Sequence, residues 1–249
     1  MSQDDLVVAN ADGATVRGDI NSQLQALGSL MSGGTAPATT YAFMLWADTG
    51  NTLLKQRNSA NSAWVTLGPL NSVLDSPGKQ TIWVPAAAMR PTVSNPAASI
   101  ADTETTAGRP DISGLAFDAT ADEGAGFTIY LPKSHDASTV TFIPIWESTA
   151  TDTDGVSFAL EAVSVADGGS IDVAFGTAIV VDDANQSAAE ELLIGAESAA
   201  LTIGGTPADG ELSFWRVFRD VSDANDTATE DAILIGIVIF ITTDAGNDD

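Results

Sequence analysis

The chain has 249 residues, of which 44% are hydrophobic but only 6% aromatic, and it carries a formal net charge of −25 from 34 acids against 9 bases. The hydrophobic share supports a buried core and excludes wholesale disorder. The charge excludes direct nucleic-acid binding, which draws its affinity from Lys and Arg, and disfavours an anionic membrane surface. With no cysteine, disulfides and thiolate chemistry are excluded as well.

In chain order, residues 4–9 (DDLVVA) read as a short strand and Asp12-Gly13 as a turn. Asp19 is placed to cap a helix in which Ile20, Leu24, Leu27 and Leu30 or Met31 recur every three or four residues, and Gly33-Gly34 would end it. This apolar stripe has two candidate partners. One is the strands that follow; the other is the same helix in two further copies, because its spacing is close to coiled-coil a and d positions. Residues 41–46, 53–57 and 63–67 then form a three-strand meander, with Trp46 and Trp64 covering the same small sheet. A meander of that size buries little alone. Ile20, Leu24, Leu27, Trp46 and Trp64 are therefore the candidate anchor or assembly residues.

Residues 68–79 (GPLNSVLDSPGK) break the pattern with two prolines and two glycines. They divide the chain into an N-terminal module at 1–70, a linker at 71–79 and a second domain at 80–249. The module holds five acids (Asp4, Asp5, Asp12, Asp19, Asp48) and three bases (Arg17, Lys55, Arg57), so the other 29 acids and 6 bases lie beyond residue 70.

The second domain shows strands and turns at short intervals. Expected strands are 81–85, 114–118, 126–131, 139–147, 156–165, 171–175, 179–181, 200–203, 211–220 and 232–242, with one short helix at 187–194 (SAAEELLI). About ten strands at this spacing predict a mainly β fold, a two-sheet sandwich of jelly-roll type. Val140, Phe142 and Trp146 share one parity and Ile143 and Ile145 the other; Pro144 predicts a bulge or an edge position. On the next-to-last strand Leu212, Phe214, Arg216 and Phe218 share one face, and Trp215, Val217 and Arg219 the other. The last strand is apolar on both parities, Ile233, Ile235, Ile237 and Ile239 against Leu234, Val238 and Phe240. Its second face lies in a subunit interface around a symmetry axis, or the strand is central and buried within one chain. Its apolar run at 232–241 is too short to span a bilayer as a helix. The N-terminal MSQDDLVVANADG has no basic stretch leading into an apolar one, so no signal peptide is expected.

Residues 7–68 resemble an N-terminal module of tail-fibre and other virion structural proteins of tailed bacteriophages. The similarity rests on VVANADGATVRGDINSQLQAL and PATTYAFMLWADTGNTLLKQRNSANSAWVTLG, with an Arg-x-Asp-Ile-Asn helix start, a Trp-Ala-Asp-Thr turn, a Leu-Lys-x-Arg-Asn strand and a closing Asn-x-Ala-Trp. It covers about a quarter of the chain. IWVPAAAMRPT, RPDISGLAFDA and FWRVFRDVSDANDTATEDAILIGIVIF are more loosely similar to C-terminal β domains of such proteins. The resemblance implies a tail-fibre or spike subunit located in the virion. It further implies a homotrimer, contacts with other virion proteins of tail or capsid, and a displayed domain that meets a host surface receptor or glycan. A head fibre or capsid decoration protein is the alternative, and a glycan-cleaving depolymerase tailspike the second.

The residues give no catalytic assignment. His135 is the single histidine and reads as an exposed loop residue, and no G-x-S-x-G elbow is present. Asp152-Thr153-Asp154-Gly155 opens like a calcium loop, but its twelfth position is Val163 where a Glu is needed, so it reads as a turn. Asp182-Asp183, Asp220/Asp223/Asp226 and Asp248-Asp249 could bind Ca²⁺ weakly; otherwise no cofactor is expected. No pair of acids stands out as a glycosidase pair. Gly204-Gly205 lacks a P-loop lysine and reads as a turn. Arg216 and Arg219, next to Trp215 and Phe218, are expected to pair with local carboxylates, with partner binding as the alternative.

Overall fold

The structure is a computed structural model that describes residues 3–8, 10–70, 78–208, 210–244 and 248, and the chain divides into two compact units, Met1–Ser76 and Pro77–Asp249. Of the expected linker, 71–77 lie outside the described residues, while Gly78 and Lys79 already belong to a strand.

In the first unit, helix α1 (Gly13–Gly28) starts about two turns earlier than a cap at Asp19 would place it. The cap is Asp12: its Oδ1 accepts from the backbone N–H of Ala14 at 2.9 Å and of Thr15 at 3.1 Å. Its Oδ2 accepts from the Thr15 hydroxyl at 2.9 Å. The expected turn at Asp12-Gly13 is thus the start of a helix. The helix ends at Gly28, before the two glycines, because Leu30 and Met31 take left-handed backbone conformations (φ 53° and 52°). Residues 4–8 form no strand; Asp4 and Asp5 turn the chain locally by accepting from Leu6 N and Val7 N.

Strands β1 (Leu45–Asp48), β2 (Leu53–Arg57) and β3 (Trp64–Pro69) make the antiparallel meander in sequence order. Asp48 fixes the first turn. Its Oδ1 accepts from Gly50 N and Asn51 N, and its Oδ2 from Asn51 Nδ2 and, at 2.7 Å, from Lys55 Nζ. The ammonium of Lys55 and the Asn51 amide hold the Asp48 carboxyl down at about 2.

The second unit is a two-sheet antiparallel β-sandwich. Its strands are β4 (Gly78–Pro85), β5 (Arg90–Pro91), β6 (Ala101–Glu104), β7 (Asp111–Phe117), β8 (Gly124–Tyr130), β9 (Thr141–Glu147), β10 (Gly155–Val165), β11 (Ile179–Ala184), β12 (Leu193–Ile194), β13 (Leu212–Arg219) and β14 (Ala232–Thr243). A five-stranded sheet has the order β11-β10-β13-β8-β5, and a six-stranded sheet the order β12-β9-β14-β7-β6, with β4 also on β14. The inward parity of each strand fills the space between them: Phe142 and Trp146, Phe158 and Leu160, Trp215 and Val217, Leu234 and Ile237. Phe117 and Trp146 both meet the Phe158 ring, at centroid distances of 5.7 and 6.0 Å.

The stretch 187–194 is not a helix. Ser187 and Glu190 have positive φ, and Leu193 pairs with Trp146 across the sheet. Residues 171–175 form no strand, and 200–203 contribute only the isolated bridge Val140–Leu201. His135 is 5% exposed and bridges Thr243, because its loop folds against the end of β14. Pro144 sits mid-sheet opposite Ile237. Gly195 N donates to the Pro144 carbonyl, so the proline's missing N–H also faces this side, just beyond the two paired residues of β12, and the ladder to β14 does not need it.

β14 is central, with β9 on one edge and β4 and β7 on the other. A register shift between Leu234 and Gly236 leaves Ile235 opposite no partner. This bulge reverses the phase, so Leu234, Ile237, Ile239 and Ile241 point inward while Ile233, Ile235, Val238 and Phe240 share the outer face. The outer face is partly covered by its own neighbours. Trp83 lies over Gly236, where an added Cβ would come within 2.4 Å of the ring, and Lys79 sits 4.5 Å from the Phe240 ring centroid.

Candidate functional site

The five residues expected to anchor the chain fall into two groups. Trp46 and Trp64 come together, with ring centroids 5.2 Å apart; Trp46 is buried and donates its Nε1–H to Gly33 O. Lys55 and Arg57 lie over these two rings, at 4.9 and 5.3 Å. The helical stripe does not join them: Ile20, Leu24 and Leu27 are 41%, 61% and 58% exposed, while α1 buries only Ala26. Packing of that stripe on the module's own strands is thus not what the fold adopts.

In the second unit the two arginines of β13 separate by face. Arg219 is fully buried and satisfied by Asp226 through Nε and Nη2, by Phe117 O and Glu230 O through Nη1, and by Ala228 O through Nη2. Asp226, once a candidate calcium ligand, is that arginine's counter-ion and also accepts from Ser157 N. Asp182 accepts from Ser157 and Asn225, and Asp183 from Trp146 Nε1. Asp152 turns its own loop by accepting from Asp154 N. Among the described residues no group of three or more His, Cys, Asp or Glu converges in a way that could hold a metal ion.

Arg216 faces outward beside a groove. One concavity of about 530 Å³ is lined by Ala88, Arg90, Gly126, Thr128, Phe175 and Phe214 among others, and one of about 200 Å³ by Thr92, Ser94, Asn95, Asp122, Gly124, Arg216 and Phe218. They adjoin on β5, β8 and β13, where Arg90 and Arg216 flank Gly126 in register. The glycines leave bare backbone as floor. Phe175 and Phe218 stand 5.7 and 4.9 Å from the Arg216 guanidinium. Glu161 pairs with Arg216 at 2.7 Å, yet Arg216 Nε and Glu161 Oε1 are not aligned for a hydrogen bond and have no other such partner. The groove therefore holds aromatic faces and two guanidinium groups, with the Arg216 charge backed from beneath by the buried Glu161 carboxylate. Sequence reasoning placed Arg216 and Phe218 but missed Arg90 and Phe175, which arrive from a two-residue strand and an irregular stretch.

This fold defines an antiparallel β-sandwich, and solved structures of that class resemble it at low identity. A CBM35 from Cellvibrio japonicus Abf62 aligns with a TM-score of 0.38 and 10% identity over 68% of this chain and 100% of that one. A CBM36-1 domain of a multidomain xylanase from the hindgut metagenome of Trinervitermes trinervoides aligns with a TM-score of 0.35 and 11% identity, over 64% and 96%. A carbohydrate-binding module CBM36 in complex with calcium and xylotriose gives 0.30 and 14%, over 65% and 98%. No family model matches the sequence, and no curated protein matches it.

Proposed function

We propose that the chain is a structural subunit of a tailed-bacteriophage particle, a tail fibre or spike protein, which its N-terminal module attaches and trimerises and whose β-sandwich binds a host-surface glycan. The observation that carries the reading is the uncovered stripe Ile20–Leu24–Leu27 on a helix of a module that resembles virion attachment segments. Three such helices meeting along that stripe would remove it from water. In the sandwich, the groove around Arg216 supplies what a sugar chain needs: ring faces for C–H surfaces and guanidinium donors for hydroxyls.

Light-scattering mass in solution, together with immunogold labelling of intact particles, tests the assignment. The expected results are a mass three times that of the 25.5 kDa chain and gold on the tail. A monomer that labels no part of the particle overturns it. Label on the capsid would make it a head fibre or decoration protein. Leu24→Asp with Leu27→Asp should convert the trimer to monomers without unfolding the sandwich.

A further inference from the structure

On the opposite sheet, the end of β9 borders a cleft of about 430 Å³. Its floor is apolar, made by Ile112, Ile235 and Leu192. Glu147 lines it while only 2% exposed, and its Oε2 has no hydrogen-bond partner among the described residues. Burial raises the Glu147 carboxyl above its ordinary range, and the nearby Glu190, which lines the same cleft, raises it further. Arg109 lines the cleft too but makes no ion pair with Glu147 among the described residues. Thr105 and Thr106 add hydroxyls to the rim.

A buried carboxylate without a donor is unfavourable by itself, and a second carboxylate beside it compounds this. Both penalties reverse if a cation with hydrogens to donate enters the cleft. We propose that this cleft binds a small 2-amino alcohol, a primary ammonium beside a hydroxyl, of up to one hexosamine in size. The ammonium donates to Glu147 Oε2 and pairs with Glu190. Arg109 and Thr106 donate to the neighbouring oxygens, while the Thr105 hydroxyl, which donates to Pro110 O, can only accept, and the carbon skeleton rests on Ile112, Ile235 and Leu192. The volume lies at the small-molecule end of the usual range for ligand pockets. The inference stands apart from the groove around Arg216, which lies on the other sheet.

Titration calorimetry of the full chain at neutral pH tests it with D-glucosamine and ethanolamine as probes; which of the two binds tells an amino sugar from an amine headgroup. N-acetyl-D-glucosamine and D-glucose, which lack the ammonium, should bind at least tenfold more weakly than glucosamine. Glu147→Gln should weaken amine binding roughly tenfold or more, as loss of a charge-assisted hydrogen bond predicts. Glu190→Gln should weaken it several-fold and decides the matter if Glu147→Gln is not folded by circular dichroism. Equal binding of the acetylated sugar, unaltered affinity in both glutamine variants, binding of Ca²⁺ in place of either amine, or no amine binding at tens of millimolar each overturns the proposal.

Discussion

Arg216 and Arg219 stand on one strand and face opposite ways, and their surroundings differ as much as two arginines can. Inward, Arg219 has Asp226 and three backbone carbonyls around a fully buried guanidinium. Outward, Arg216 has one misaligned carboxylate, two rings and water. The first arrangement ties the loop after β13 to the core, because the partners at Asp226, Ala228 and Glu230 all lie in it. The second leaves a charge poised for something that arrives from outside. In so acidic a chain, one cation is thus consumed by folding and the other kept for the surface.

The sharpest way to break the contrast is Arg219→Gln. It strands a buried Asp226 and should lower stability by about 3–5 kcal/mol in urea denaturation. Arg216→Gln should cost clearly less, because the Arg216 side chain is itself 41% exposed, although it leaves the mostly buried Glu161 without its counter-ion. An equal loss in both variants would mean that the outward pair is structural. Next in size is binding: Arg216→Ala and Phe175→Ala should each weaken glycan-array binding by tenfold or so, about 1.4 kcal/mol, at unchanged melting temperature.

A smaller effect belongs to Glu147. Its folded-state affinity for protons is raised, so ionising it destabilises the fold, and that penalty is present above its folded value and relieved as pH falls. Glu147→Gln should be more stable than the parent at pH 8, with the difference shrinking as pH falls towards the ordinary carboxylate range, read as melting temperature against pH. A parent that loses ground to the variant on acidification would reverse the assignment. Asp48 has the opposite sign. Its contribution is present above the unfolded carboxylate value near 4 and is lost as pH falls through about 2. Asp48→Asn should remove that acid dependence from the first unit, read by Trp46 and Trp64 fluorescence.

The sandwich was legible because its strands alternate: Val140, Phe142 and Trp146 against Ile143 and Ile145, and the two faces of β13, fall where parity puts them. Pairing of both arginines with carboxylates followed from charge alone. What escaped was set by tertiary context. Asp12-Gly13 reads as a turn because glycine is a poor helix former, yet the Asp12 carboxylate caps the helix there. SAAEELLI has helical residues, but Leu193 is held by Trp146 in the sheet. His135 looked exposed because nothing local shows that its loop folds onto Thr243. The groove and the cleft draw their walls from segments far apart in sequence, so no motif announces either.

Ile235 is the unpaired residue of the bulge in β14, between Leu234 opposite Trp146 and Gly236 opposite Ile145. Removing that single residue would close the ladder with every inward side chain still inward, since Leu234, Gly236 and Ile237 would then alternate without a break. The same deletion would take a floor residue out of the cleft beside Glu147. One wall of the cleft thus rests on a single residue that the sheet absorbs as a bulge, and a chain without it would keep the sandwich while losing that wall.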